Sequence, residues 1–406
     1  MCALAKPDRE HRRNARIYLL GLAASLVGDS ALSLVAGIWV KSLTGSSGAA
    51  AVVAVCVYAP SLLSPVAGML VDRVRRLRML VVVNLAAAAA VLPLLLVHSA
   101  DQVWLIYVVM LAYGVSLVLI DPAENALFAV MLPDHVRRQV NGVRLAMQEG
   151  GKLVAPLLGA GLFVAFGGGL VAAFDAVTFV IAALVLLRLR FDEPAPVREK
   201  RHWRAELVAG FGHIRAVPEL RAVAIAAALA MVVAGFATPA QYSLVDALHR
   251  PPGFLGVLTG LLGAGSIVAG LVSGPLITRI GERRLAWLGL VDGALGNLLR
   301  ATGSEPAALA GSVVAGFALP WTVVALINLA QRATPDASQG RVSAAVGLAL
   351  FAPQPIAQAV GAGAIAAVDF RYVYLAAAIG TLAAGAWLAT RQGTRTTLPV
   401  FRRAST

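Results

Sequence analysis

Long apolar stretches, separated by short polar and Arg-rich ones, run the length of this chain. Ser42–Val71, Met79–Val97 and Val103–Ile120 carry no full charge, and Ile17–Val40 is broken only by Asp29. Each is near or above the roughly 18–20 residues that cross a hydrocarbon core. The pattern predicts twelve helical spans, at about 17–40, 48–71, 78–97, 103–131, 140–166, 169–189, 219–245, 253–278, 285–303, 306–330, 341–367 and 372–390. Nothing alternates with the period of two that a membrane barrel needs. The expected fold class is an all-α polytopic membrane protein.

Composition agrees. Of 406 residues, 59% are hydrophobic and 14% charged, and mean hydropathy is +0.79; a soluble chain carries far more charge. The net charge of +13 would suit nucleic acid, but its placement points elsewhere. With the N-terminus inside, 28 of the 34 Lys and Arg fall on the inner side and four (Lys41, Arg250, Arg300 and Arg371) on the outer side. Arg144 and Lys152 lie within a span. That is the positive-inside rule. The basicity therefore reads as topology, with both termini cytoplasmic and contact with anionic lipid, and no nucleic acid partner is expected. Cys2 and Cys56 form no disulfide framework. The apolar run after the basic arm is too long for a signal peptide, so it reads as an uncleaved first helix. Arg outnumbers Lys by 30 to 4, which suggests a GC-rich bacterial source and hence the inner (plasma) membrane.

The chain repeats itself. "GMLVDRVRRLR" from Gly68 and "GPLITRIGERR" from Gly274 occupy the same place between two spans, 206 residues apart. "PDHVRRQVNG" before the fifth span matches "PDASQGRV" before the eleventh. The expected division is an N-terminal six-helix half (1–190), a cytoplasmic linker (191–218) and a C-terminal six-helix half with a short tail (219–406). Two parallel six-helix repeats are the architecture of a rocking transporter with its site between the halves. In the linker, Trp203, Leu207, Phe211 and Ile214 mark an amphipathic helix, lying either on the inner leaflet or against the bundle.

These residues resemble a family. Gly68, Asp72, Arg73 and Arg76 match the loop signature G-x-x-x-D-R-x-G-R-R of the major facilitator superfamily, with Arg75 and Leu77 departing from it. "LVGDSALSLVAGIWVKSLTGSS", "DPAENALFAVMLP" and "ELVAGFGHIRAVPELRAV" are similar to the drug:proton antiporter branch that holds macrolide-efflux proteins and the enterobactin exporter. The resemblance covers nearly the whole chain and implies the major facilitator fold, with twelve helices in two pseudo-symmetric halves. "GKLVAPLLGAG" also resembles the span-5 signature of antiporters: Gly151, Pro156 and Gly159 match, while Ala155 and Ala160 replace Gly. The resemblance implies export; ordinary small-residue packing is the plainer reading.

Several polar residues stand out against the apolar background. Gly68, Asp72, Arg73 and Arg76, with Gly274 and Arg279 in the second copy, read as a gating loop whose contacts change as the halves rock, or as charges that only set topology. Asp72 can cap a helix N-terminus there. Arg75 lacks the backbone freedom of the family's glycine. Arg144, Glu149 and Lys152 lie on one arc of the fifth span, where a charge needs a partner or an aqueous cavity. Counting outward from the preceding turn suggests that Lys152 is shared by Glu149 and Asp121, and that Arg144 reaches Glu124. Asp121 and Glu124, around Pro122, can equally sit at the interface, where charge is cheap. Asp29 is isolated at mid-span with Ser25 and Ser33 one turn away; it suits a proton carrier or an Asp satisfied by those hydroxyls. Asp292 is a weaker candidate of the same kind. Gln148, Gln241, Trp321, Asn328, Gln354 and Gln358 would line a substrate cavity, or serve as interhelix glue.

No phosphate-loop signature is present and the six His show no metal-ligand spacing, so neither an enzyme nor a cofactor or metal is expected. The reading is a monomeric secondary active exporter of small amphiphilic compounds, drugs or natural products, driven by proton antiport. The alternatives are a proton-coupled importer, a lipid or siderophore carrier, and a non-transporting receptor or assembly partner on the same fold. The short arm and tail offer no soluble domain for the last.

Overall fold

The apolar runs become helices, and proline or glycine sets where those helices break. The computed structural model describes residues 6–189, 191, 193, 203–335 and 338–390; within them, side chains including those of Asp72, Glu149, Lys152 and Trp203 lie outside the described set. Helix α1 (Lys6–Thr44) is followed by α2 (Ser47–Tyr58), α3 (Ser64–Arg73), α4 (Arg76–Val91), α5 (Val103–Met131) and α6 (Asp134–Leu187). After the linker helix α7 (Trp203–Ala216) come α8 (Pro218–Ala237), α9 (Ala240–Ala247), α10 (Phe254–Ile280), α11 (Glu282–Ala301), α12 (Glu305–Ala333), α13 (Gln339–Phe351), α14 (Gln354–Ala367) and α15 (Phe370–Thr390). Pro60, Pro239 and Pro353 stand at the breaks between α2 and α3, α8 and α9, and α13 and α14, because proline cannot donate the next helical hydrogen bond.

Among the described residues, nine helical segments are long and apolar enough to cross a membrane. The remaining expected spans are helical too, for three different reasons outside that set. Ser47–Leu63 is short and broken. The fifth and sixth spans form one element, α6, which turns at Gly167 (φ 78°), a backbone conformation that glycine adopts freely. The ninth, α11, carries Glu282, Arg283, Arg284, Asp292 and Arg300. Large apolar side chains such as Val82, Val164, Leu271 and Ile379 point outward and are more than 60% exposed, as lipid-facing residues must be.

The packing differs between the two ends of the molecule. At the end carrying the Arg-rich loops, one buried cluster contains only residues from Ala15 to Leu189, including Leu80, Leu127 and Val136. A separate one contains only residues from Ile214 to Leu388. At the far end a single cluster joins both groups, packing Val40 and Val97 with Leu244, Leu255 and Phe370. The halves are thus fused at the far end and have separate cores at the basic end.

Small residues and one ion pair make the far-end closure. A Cβ on Gly256 of α10 would sit 2.6 Å from the Ala160 methyl and 2.9 Å from the Pro156 carbonyl of α6. The two backbones therefore approach more closely than side chains would permit. Lys41, 8% exposed at the end of α1, donates to Asp246 of α9 at 2.5 Å, to the Gly45 carbonyl at 2.7 Å and to Ser47 at 2.9 Å.

At the basic end the two repeated loops are built differently. Gly281, between α10 and α11, has φ 79°, whereas Arg75, between α3 and α4, is extended at φ −68°, ψ 119°. The first copy thus makes its turn without a left-handed residue. The N-terminus of α4 is capped by Glu193 from the linker, which accepts from the N–H of Arg76 at 2.5 Å and from that of Leu77 at 3.4 Å. Helix α7 packs on the bundle. Its Gly210 lies against the Arg341 carbonyl of α13, its Ile214 is buried, and its Val208 stays exposed.

Candidate functional site

A cavity of about 280 Å³ opens in the N-terminal half. Helix α1 contributes Tyr18, Ser25, Asp29 and Ser33, one face of a helix read every three or four residues. Ser30 and Gly21 of α1, Tyr58 of α2, Asn84 of α4, Tyr113, Asp121 and Glu124 of α5, and Gln148 of α6 line it too. The rest is Leu, Ile, Val and Ala. The site is therefore an apolar chamber with a few placed polar groups, the usual make-up of a small-molecule pocket.

Two carboxylate environments share this chamber. Asp29 accepts from Ser25 at 2.9 Å and from the Tyr113 hydroxyl at 3.1 Å. Among the described residues its hydrogen-bond partners are hydroxyls. Nearer the basic end, Arg144 of α6 donates to Asp121 at 3.1 Å and to Asn125 at 2.9 Å, and its guanidinium lies 3.6 Å from Glu124. Its cation also lies 5.9 Å above the Phe128 ring, against which Tyr18 packs edge-on at 4.6 Å. Arg144 and Glu124 are 11% and 13% exposed, while Asp121 is 70% exposed. A buried cation thus holds one buried and one exposed carboxylate, so that neither buried charge is stranded.

The sequence pattern shares Lys152 between Glu149 and Asp121 and brings Arg144 to Glu124, and Arg144 does lie beside Glu124. In the structure Asp121 is bound by Arg144. The long Arg144 side chain reaches from α6 to both carboxylates of α5. Lys152 and Glu149, the other members of the expected network, are among the side chains not described.

The remaining expected residues are scattered. Gln148 lines the chamber. Trp321 donates its indole N–H to the Ala269 carbonyl at 3.1 Å and packs on Phe317, while Asn328 bonds back to Val324 on its own helix. Gln358 is buried in α14, and Gln354 and Gln241 are half-buried in the C-terminal half. Asp292 is half-buried on α11. Pro156 and Gly159 are buried, the latter within contact of the Ala31 backbone of α1, while Gly151 has open space where a Cβ would stand. In the loops, Arg73, Gly274 and Arg279 are exposed, Gly68 is half-buried, and Arg76 pairs with Glu193.

The sequence reading passed over one residue, Asp175 on α6. It is 0% exposed and packs against Gly28 beside Asp29. A lone carboxylate in "GLVAAFDAVTFVIAALVLL" is the same signal that picked out Asp29.

Two helical groups share a core at one end and keep separate cores at the other, with a polar-lined chamber in the first of them. The family model described as Major Facilitator Superfamily matches residues 18–240 and 223–404. The chain belongs to the major facilitator superfamily. Within this superfamily it is 24% identical over 176 residues to Macrolide efflux protein A of Streptococcus pyogenes. That match covers 43% of this chain and 44% of the relative, so the chain spans under half the length of that protein. It is 25% identical over 264 residues to the uncharacterized MFS-type transporter YfiS of Bacillus subtilis, covering 63% of this chain and 60% of that one. The crystal structure of the nucleoside transporter NupG superposes with a TM-score of 0.70 at 12% identity, covering 93% of this chain and 98% of that one. The fold is shared with that superfamily member, and relatives and neighbours alike are transporters rather than enzymes. Its family and its long apolar helices mark this chain as a membrane protein.

Proposed function

We propose that this superfamily member is a secondary active exporter of small amphiphilic compounds that couples export to proton entry. The observation that carries the coupling is Asp29. It is a mid-span carboxylate on the wall of an apolar chamber, held by the hydroxyls of Ser25 and Tyr113. A group that gains and loses a proton there changes the charge facing the substrate, which is what coupled transport needs. Export is supported by the similarity to macrolide efflux proteins and by the antiporter-type residues Gly151, Pro156 and Gly159. The excess of Lys and Arg at the basic end supports placing that end, and both termini, in the cytoplasm of a bacterial inner membrane. A monomer surrounded by lipid satisfies this reading.

The test is drug and dye efflux in a bacterial host lacking its own pumps, across macrolides, cationic dyes and siderophores. The protein should lower accumulation of at least one compound. A protonophore should abolish that effect, and so should Asp29→Asn at an unchanged level in the membrane. Efflux that persists, still sensitive to the proton gradient, in the Asn variant would remove Asp29 from the mechanism. Accumulation raised rather than lowered would reverse the direction.

A further inference from the structure

Asp175 is buried among helices with almost nothing to satisfy its charge. Its Oδ2 has no hydrogen-bond partner among the described residues. Thr178 lies 3.4 Å from Oδ1, but its hydroxyl also faces the Asp175 carbonyl at 2.8 Å, and one hydroxyl has one proton to give. An ionised carboxylate left so bare inside a membrane bundle is costly, whereas the neutral acid is not.

The neighbour across the helix interface is α1. A Cβ on Gly28 would come within 2.5 Å of Asp175 Oδ1 and would overlap Thr178 Oγ1. Only glycine lets this carboxyl lie on the α1 backbone, one residue from Asp29. Tyr113 adjoins both: its hydroxyl donates to Asp29 at 3.1 Å, and its ring meets Phe179, next to Thr178, edge-on at 6.0 Å. The titratable groups that line the chamber with Asp29 are Tyr18 of α1, Tyr58 of α2, and Tyr113, Asp121 and Glu124 of α5, the last two held by Arg144 of α6. Asp29 lines the chamber and Asp175 does not.

We propose that Asp175 and Asp29 share one proton, and that Asp175 holds it behind the chamber while Asp29 faces the substrate side as the carboxylate. Two carboxylates in one dry site cannot both ionise cheaply, so they titrate as a pair. With Asp175 protonated and Asp29 ionised, the pair carries a charge of minus one. Taking up a second proton at Asp29 makes the pair neutral, and its release restores the single charge. Asp175 is thus a positioning residue acting through Asp29. The inference rests on the proton-coupled reading of Asp29.

The test needs no substrate and no gradient. Infrared difference spectra of the purified protein in lipid nanodiscs at neutral pH, wild type minus variant, report the C=O stretch of individual protonated carboxyls and cancel the rest. Asp175→Asn should remove one protonated-carboxyl band, because Asp29 alone is served by two hydroxyl donors. Asp29→Asn should leave that band in place, and Asp175→Glu should keep it, shifted. A band that survives Asp175→Asn, or one that disappears in Asp29→Asn, would place the proton elsewhere and overturn the proposal. Should Asp175→Asn fail to accumulate, the Asp29→Asn arm decides alone. Efflux can fail with this pattern intact, and the pattern can fail with efflux intact, so the two readings are tested separately.

Discussion

Lys41 at the end of α1 and Asp246 in α9 form an ion pair across the two halves, 205 residues apart in sequence. Lys41 is buried and Asp246 half exposed. The pair lies at the fused end, with Ser47 and the Gly45 carbonyl completing the ammonium's shell. Opening that end must break it. Asp246→Asn should strand the lysine and weaken the closure by about 1 kcal/mol, a value discounted for the exposed partner. That is roughly a fivefold shift in population. Spin labels at Ser46 and Arg250 should report a longer mean distance in the variant, and the swap Lys41→Asp with Asp246→Lys should restore it. An unchanged distance distribution would show that apolar packing alone holds the end shut.

Arg144 is the single described cation binding both Asp121 and Glu124. Arg144→Gln leaves the buried Glu124 without its partner and should destabilise the protein by about 3 kcal/mol. Glu124→Gln in the same chain should recover much of that loss, whereas Asp121→Asn, at an exposed position, should recover little. Thermal unfolding in detergent ranks the variants. Equal rescue by both would mean that depth in the bundle does not govern the cost.

Glu193 caps α4 through the N–H groups of Arg76 and Leu77. Glu193→Ala should lower stability by about 1 kcal/mol, the usual worth of a cap. It should also raise hydrogen exchange at the first turn of α4 more than elsewhere. Uniform exchange across the variant would deny the cap a local role.

Topology is testable by cysteine labelling in a background with both native cysteines replaced, Cys2→Ser and Cys56→Ser. Ser46 and His98, both exposed at the far end, should react as cysteines with a membrane-impermeant reagent from outside. Arg75, exposed at the basic end, should not. The opposite pattern would invert the orientation.

What the sequence determined is local. A run of apolar residues of the right length is a membrane helix whatever its neighbours, so the spans are legible; the breaks at Pro60, Pro239 and Pro353 inside three of them are not read from it. A carboxylate inside such a run stands out, which makes Asp29 and Asp175 readable by one rule. The doubled loop motif is readable because it repeats along the chain. Tertiary structure decided the pairings. Whether Arg144 meets Asp121, whether Lys41 finds Asp246, and whether Glu193 caps α4 all depend on the depth, rotation and spacing of different helices. The periodicity of a single helix says which residues share its face, not which helix that face meets. Gly28 shows the difference. In the sequence it is one small residue among many in α1; in the fold it is the gap that brings Asp175 beside Asp29.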